Sequence, residues 1–375
     1  MIRKLIYAAV AVTIILGIIQ GCSKNPENNK PGTTNTGFDR KGMLTNLSTN
    51  IIIPAYTAFQ TDAAALDAAV TAFTASPDDT HLAAVQVAFI TAYKQWQATS
   101  VFEIGPAEQV QLRVNTNTYP ADIGQINANI TSNTYNPVLL ANLAAKGLPA
   151  MDYLLFGIGA DNTAIIAQYT TDSQAANRKT YLAKLSAELK ANATTVLTGW
   201  NGAYKATFIA ADGTDEGSSA GQLVNQLAYD YEILKNYEIG VPAGVQSMGT
   251  IFPQKVQAYY SKISAQLALL HIQAIENIYA GISAQGDGLG LDDYLIQVNA
   301  KFSDGSSLNT AIKNQFGTAT TKLQSLTDPL SANIMSNDAA VTATYTELQK
   351  LTVMLKTDMP SSLGILITYG DNDGD

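Results

Sequence analysis

The chain has 375 residues, enough for two domains, and only 14% of them are charged, against about 25% in an average protein. Its net charge of -9 argues against a nucleic-acid partner, because binding phosphate needs a basic face. With one cysteine no intramolecular disulfide can form, and with two histidines a His-rich metal centre has few donors to draw on.

Arg3 and Lys4 precede an apolar run, Leu5 to Ile19, that ends in Gln20-Gly21-Cys22. A positive start followed by an apolar run too short to span a bilayer is a secretory signal. The Ile19-Gln20-Gly21-Cys22 ending resembles a bacterial lipobox. That resemblance implies removal of residues 1–21 and lipidation of Cys22. Ser23, where inner-membrane lipoproteins carry Asp, points by analogy to the outer membrane of a Gram-negative bacterium. No later run approaches the roughly 20 apolar residues of a membrane-spanning helix, so Cys22 is the expected membrane attachment of an exported chain. Residues 22–38, rich in Asn, Thr and Pro, have no hydrophobic period and read as a flexible tether.

Helical periodicity begins at Met43. Pro54 is expected to kink the first helix. Tyr56, Phe59, Ala63, Leu66, Val70 and Phe73 then recur at three- and four-residue steps. Ser76-Pro77-Asp78-Asp79 has the chemistry of a helix start. The stripe after it, Leu82 to Trp96, is expected to end near Gly105-Pro106. From Gln109 to Pro137 the period is lost, and a long aperiodic stretch of this kind is often functional. A short helix over Val138–Ala145 and a long one over Ser173–Phe208 follow. Asp212 to Ser219 is the densest turn cluster, which divides the chain into a bundle over 39–212 and a second over 213–375. Further stripes run Leu223–Leu234, Val256–Ile278, Leu308–Leu326 and Val341–Leu355, the last stopped by Pro360. Convincing β alternation is absent. The expected class is all-α, two packed helical bundles.

Two pairs of segments suggest that the bundles are related by internal duplication. Gly147-Leu148-Pro149-Ala150-Met151-Asp152-Tyr153-Leu154-Leu155 has a weaker copy in Gly288-Leu289-Gly290-Leu291-Asp292-Asp293-Tyr294-Leu295-Ile296. Phe102-Glu103-Ile104-Gly105-Pro106 resembles Tyr237-Glu238-Ile239-Gly240-Val241-Pro242, in the same order and at similar spacing. A duplicated unit places paired motifs about a pseudo-twofold axis. The expected ligand site is therefore the cleft between the bundles, with Glu103, Gly105, Pro106, Gly147, Pro149, Asp152, Tyr153, Glu238 and Asp293 as candidates. Asp152 has two readings: it satisfies the free N–H groups of a helix start, or it is a binding carboxylate where the halves meet. Asp293 has the same two. His81 follows an acidic helix start, and His271, among Leu269, Leu270 and Ile272, reads as a satisfied histidine. Nucleophile-elbow, P-loop and dinucleotide fingerprints are absent, and no catalytic residue is assigned.

These segments together resemble the imelysin family. The resemblance is carried by Trp96 with Phe102–Pro106, by Gly147–Gly157, and by Gly374-Asp375 after Asp373, over essentially the whole exported chain. Members share a Gly-x-His-x-x-Glu motif followed by a Tyr-Leu-Leu-Phe-Gly-like run. Here Pro149 stands at the His and Asp152 at the Glu. Proline offers no donor atom, so the pair that would share a metal on one helix face is lost, and Asp152 alone is a weak metal ligand. The family implies metallopeptidase activity or a part in iron uptake. The expectation is a lipid-anchored binding protein serving iron or haem uptake, with iron or haem as the ligand. The alternatives are a metallopeptidase with altered ligands and a non-catalytic scaffold for an outer-membrane transporter.

Overall fold

The computed structural model describes residues 37–336 and 339–369. The expected signal sequence, the expected lipidation site Cys22, nearly all of the expected tether and the acidic Asp371–Asp375 end lie outside the described residues. Helices longer than ten residues are α1 (Ile53–Ala75), α2 (Asp79–Gln97), α3 (Ala175–Gly199), α4 (Ser219–Glu232), α5 (Ser264–Tyr279), α6 (Leu308–Gln324) and α7 (Ala339–Val353). Among the described residues the named strands are one two-residue pair, Ile282–Ser283 with Gly286–Asp287. The fold is all-α, as the sequence leads one to expect.

Each long helix buries the stripe that defines it. α1 buries Tyr56, Phe59, Ala63, Leu66, Val70 and Phe73, and α2 buries Leu82, Val85, Phe89, Tyr93 and Trp96. Their starts are capped by side chains: Asp78 accepts the His81 N–H ahead of α2, and Ser218 accepts the Gly221 N–H ahead of α4. α1 packs between α2 and α3, while α6 packs between α5 and α7. α2 also lies against α5, so a connected apolar core runs from one group of helices into the other.

Several helices widen into π turns, at Leu47–Ile52, Tyr153–Gly157, Trp200–Tyr204, Ile233–Gly240 and Met354–Asp358. The first directly precedes Pro54, whose missing N–H removes a ladder bond and loosens the register there. The fourth carries α4 on to Glu238.

Some boundaries differ from expectation, each for a local reason. α2 ends at Gln97, not Gly105; a 3-10 turn Ser100–Phe102 follows, and Pro106 opens a separate short helix, Pro106–Gln109. Pro360 does not stop the last helix but sits in the first turn of Met359–Leu363, where its missing N–H costs nothing. The segment Leu140–Ala145 is 3-10 rather than α. The pattern that begins at Val256 becomes helical only at Ser264, because Tyr260 and Ser261 donate their backbone N–H groups to Asp152. Ala258 and Lys262 on either side take left-handed backbone, with φ of 53° and 60°.

Candidate functional site

A cavity of about 310 Å³ opens where α2, the segment after it, α4 with its π turn, and α5 meet. Its wall holds a buried ionic cluster. Asp230 lies near the end of α4, Glu238 two turns on, and His271 on α5; they are 0%, 3% and 1% exposed. His271 Nε2 is 2.5 Å from Asp230 Oδ2, and its Nδ1 is 2.9 Å from Glu238 Oε1. Arg113, from the short helix Leu112–Asn117, brings Nε to 3.3 Å from Asp230 Oδ1. Its Nη2 donates to the Ser100 carbonyl at 2.9 Å and to Gln226 Oε1 at 3.0 Å, and its guanidinium lies 5.1 Å from the Tyr229 ring centre.

Burial alone would drive His271 neutral, but Asp230 and Glu238 flank the ring and raise its pKa to about 10. Burial pushes Asp230 up, yet His271 and Arg113 more than offset it and hold the carboxyl below its usual range. The imidazole is therefore a cation fixed between two carboxylates at neutral pH. Ser100, His271 and Glu238 stand in the order of a nucleophile relay, with Ser100 Oγ 3.4 Å from Nε2. Asp230 intervenes: it accepts from Ser100 Oγ at 2.9 Å and holds Nε2 itself. With Nε2 held by Asp230 and Nδ1 by Glu238, His271 has no free nitrogen to take the serine proton.

Five cavity-lining residues carry a buried polar atom without a hydrogen-bond partner among the described residues; Arg113 Nε and Asp230 Oδ1 face each other as an ion pair at 3.3 Å, which leaves Glu238 Oε2, Gln257 Nε2 and the Tyr119 hydroxyl. Such atoms are rare in native interiors and mark places where a water or ligand belongs.

Of the nine residues singled out in the sequence, Glu238 lines this cavity. Asp152 and Pro149 line a neighbouring hollow of about 210 Å³, which shares Tyr119 with the first. Both Asp152 oxygens accept backbone N–H groups, from Tyr260 and Ser261 at 2.9 Å each. Burial nevertheless raises its pKa to about 6. Tyr153 packs on Tyr260 with ring centres 5.3 Å apart. Glu103 lies in a third hollow of about 130 Å³, where it accepts the Arg113 backbone N–H at 2.9 Å; burial raises it to about 7, with Arg113 offsetting part of that rise. Gly105, at φ 55°, lets the Tyr204 ring lie against the backbone, and Pro106 packs on Gly199. Gly147 fits against the Thr116 carbonyl. Asp293 accepts the Gly290 N–H at 3.0 Å and caps its own helix, Leu291–Gln297. The two motif copies thus both open helices, but Asp152 reaches a remote turn while Asp293 stays local.

Arg113, Tyr119, Asp230 and Gln257 also carry the cavity and are not among the sequence candidates, while His271, which the sequence reads as a satisfied histidine, is satisfied here by Asp230 and Glu238. Arg113 and Tyr119 do fall inside the aperiodic Gln109–Pro137 stretch. Asp230 and His271 are polar residues on otherwise apolar helix stripes, a pattern that a satisfied core residue shares.

The family's metal pair does not fit the residues present. Pro149 has no donor, and both oxygens of Asp152 are engaged by backbone. Among the described residues no group of three His, Cys, Asp or Glu side chains is placed to hold a metal ion.

No curated protein sequence matches the chain closely enough to count as a relative. Two crystal structures share its fold. One is a chain from Parabacteroides distasonis ATCC 8503, provisionally named an iron-regulated protein A precursor. It has TM-score 0.71 and 16% identity, over 86% of this chain and 95% of that one. The other is an imelysin-like protein from Psychrobacter arcticum 273-4, with TM-score 0.65 and 18% identity, over 88% of this chain and 97% of that one. The Imelysin family model matches residues 52–357, most of the length, and the chain accordingly belongs to the imelysin family.

Proposed function

We propose that this chain is an exported, lipid-anchored binding protein that serves iron acquisition and takes its ligand in the cavity beside His271. The observation that carries the reading is the set of unpartnered buried atoms, Glu238 Oε2, Gln257 Nε2 and the Tyr119 hydroxyl, on the wall of one cavity. The lipobox ending at Cys22 supports the anchor, and the name of the Parabacteroides chain supports the link to iron. An outer-membrane transporter is the partner to which such a carrier would deliver its load. At about 310 Å³ the cavity suits a small iron complex better than haem, and His271 has both ring nitrogens bonded.

The test is calorimetric titration of the purified full chain with ferric glycine hydroxamate, a small complex whose organic shell carries ammonium groups, and with haemin. The expected result is stoichiometric binding of the small iron complex, lost when Ile233→Trp fills the cavity. Binding that survives that replacement would place the ligand elsewhere. Chelator-sensitive cleavage of a peptide substrate would favour the peptidase alternative instead.

A further inference from the structure

We infer that the cavity recognises a cationic nitrogen, a primary ammonium or an amidinium, on a compact organic molecule with an apolar body. The inference rests on the reading of this cavity as a binding site and names the chemistry of its occupant.

The sign of the charge follows from which atoms are already engaged. His271 faces a carboxylate with each nitrogen and has no N–H left for a ligand. Arg113 directs Nη2 at Ser100 and Gln226, and its Nε faces Asp230. Asp230 Oδ2 accepts from both Ser100 and His271, and its Oδ1, which like Glu238 Oε2 has no hydrogen-bond partner among the described residues, is compensated by Arg113 Nε at 3.3 Å. Glu238 differs. His271 holds its Oε1, while its Oε2 has no partner among the described residues, on a side chain that is 3% exposed. A carboxylate oxygen withdrawn from water calls for a donor, and a charged N–H is the strongest one available. An anion in the same place would meet both Glu238 and Asp230, with no imidazole N–H and only Arg113 Nη1 to receive it, since the other guanidinium nitrogens are turned to Ser100, Gln226 and Asp230. The net charge of -9 also draws cations toward the molecule.

The rest of the wall defines the body of the ligand. Gln257 Oε1 accepts from Asn117 Nδ2 at 2.6 Å, which fixes the amide and leaves Nε2 as an unused donor. With the Tyr119 hydroxyl, it suits a carbonyl or hydroxyl on the ligand, or a water beside it. Trp96, Val114, Ile233 and Tyr237 supply apolar and aromatic surface. At about 310 Å³ the cavity is near the lower limit of small-molecule sites, room for one ring and a short arm. If iron enters here as a complex, Glu238 reads the organic shell and not the metal.

The experiment titrates the purified full chain with benzylammonium, benzyl alcohol and benzoate, three probes of similar shape and different charge, with ferric glycine hydroxamate alongside. Benzylammonium is expected to bind one to one, at least tenfold more tightly than benzyl alcohol, with no measurable benzoate binding. Glu238→Gln should weaken benzylammonium at least tenfold and leave benzyl alcohol unchanged. Ile233→Trp keeps every charge and should abolish binding of both, which preserves the test if Glu238→Gln fails to fold. Binding of benzoate or ferric glycine hydroxamate without benzylammonium would overturn the inference and leave the cavity as a binding site. Silence from all four would remove both readings, and benzylammonium binding unchanged in Ile233→Trp would overturn the inference as well.

Discussion

His271 Nε2 and Asp230 Oδ2 lie 2.5 Å apart on side chains that are 1% and 0% exposed. The contact joins α4 to α5, and Glu238 closes on the other ring nitrogen at 2.9 Å. A buried pair of this kind is held by mutual compensation, so removing one member leaves the other as an uncompensated charge. His271→Ala is expected to lower unfolding free energy by roughly 3–5 kcal/mol, measured by urea denaturation. The double replacement Asp230→Asn with His271→Gln should recover part of that loss. A single variant as stable as the parent would contradict the ionic description.

The pH dependence has a defined sign. His271 is raised from an ordinary 6.5 to about 10, so the folded chain keeps a proton that the unfolded chain releases. Its contribution is present in full below pH 6.5 and is lost as pH rises through 10. Asp152 is raised from 3.8 to about 6 by burial, so stability also falls as pH rises between those values. Denaturation across pH should show both declines. Asp152→Asn should shrink the acidic one, to which Glu103, raised by burial from 4.5 to about 7, also contributes, and His271→Gln should remove the alkaline one.

Gly147 has φ of 67°, and a Cβ there would lie 2.3 Å from the Thr116 carbonyl oxygen. Gly249 has φ of 84° but open space around it. Gly147→Ala therefore combines strain with a backbone clash and should cost about 2 kcal/mol or more, whereas Gly249→Ala should cost about 1 kcal/mol. Equal melting shifts would contradict the packing assigned to the focal motif.

Restoring the family histidine should not restore a metal site. Pro149→His would supply one donor, but Asp152 already gives both oxygens to Tyr260 and Ser261. Metal analysis of that variant after dialysis against zinc should find far less than one zinc per chain. One tightly held zinc would show that Asp152 is freer than its hydrogen bonds imply.

The helices were legible where a local period decides the outcome, as along α1 and α2, whose stripes are buried residue for residue. They were not legible where a distant residue intervenes. Val256 to Lys262 carries a helical pattern, but Asp152, more than a hundred positions earlier, captures two of its N–H groups. The same limit applies to the cavity. The likeness between the Glu103 and Glu238 segments drew attention to Glu238. Nothing local to Asp230, His271 or Arg113 announces that they meet, since each alone resembles a satisfied polar residue. Asp152 does bind backbone N–H groups, as one of its two readings held, but they belong to a remote turn and not to its own helix.

The most direct measurement of the central claim is calorimetry of the parent chain and of Ile233→Trp, with benzylammonium and with ferric glycine hydroxamate. The account predicts stoichiometric binding by the parent and none once Ile233→Trp fills the cavity beside His271. Equal binding by both chains, or none by a folded parent, would contradict it.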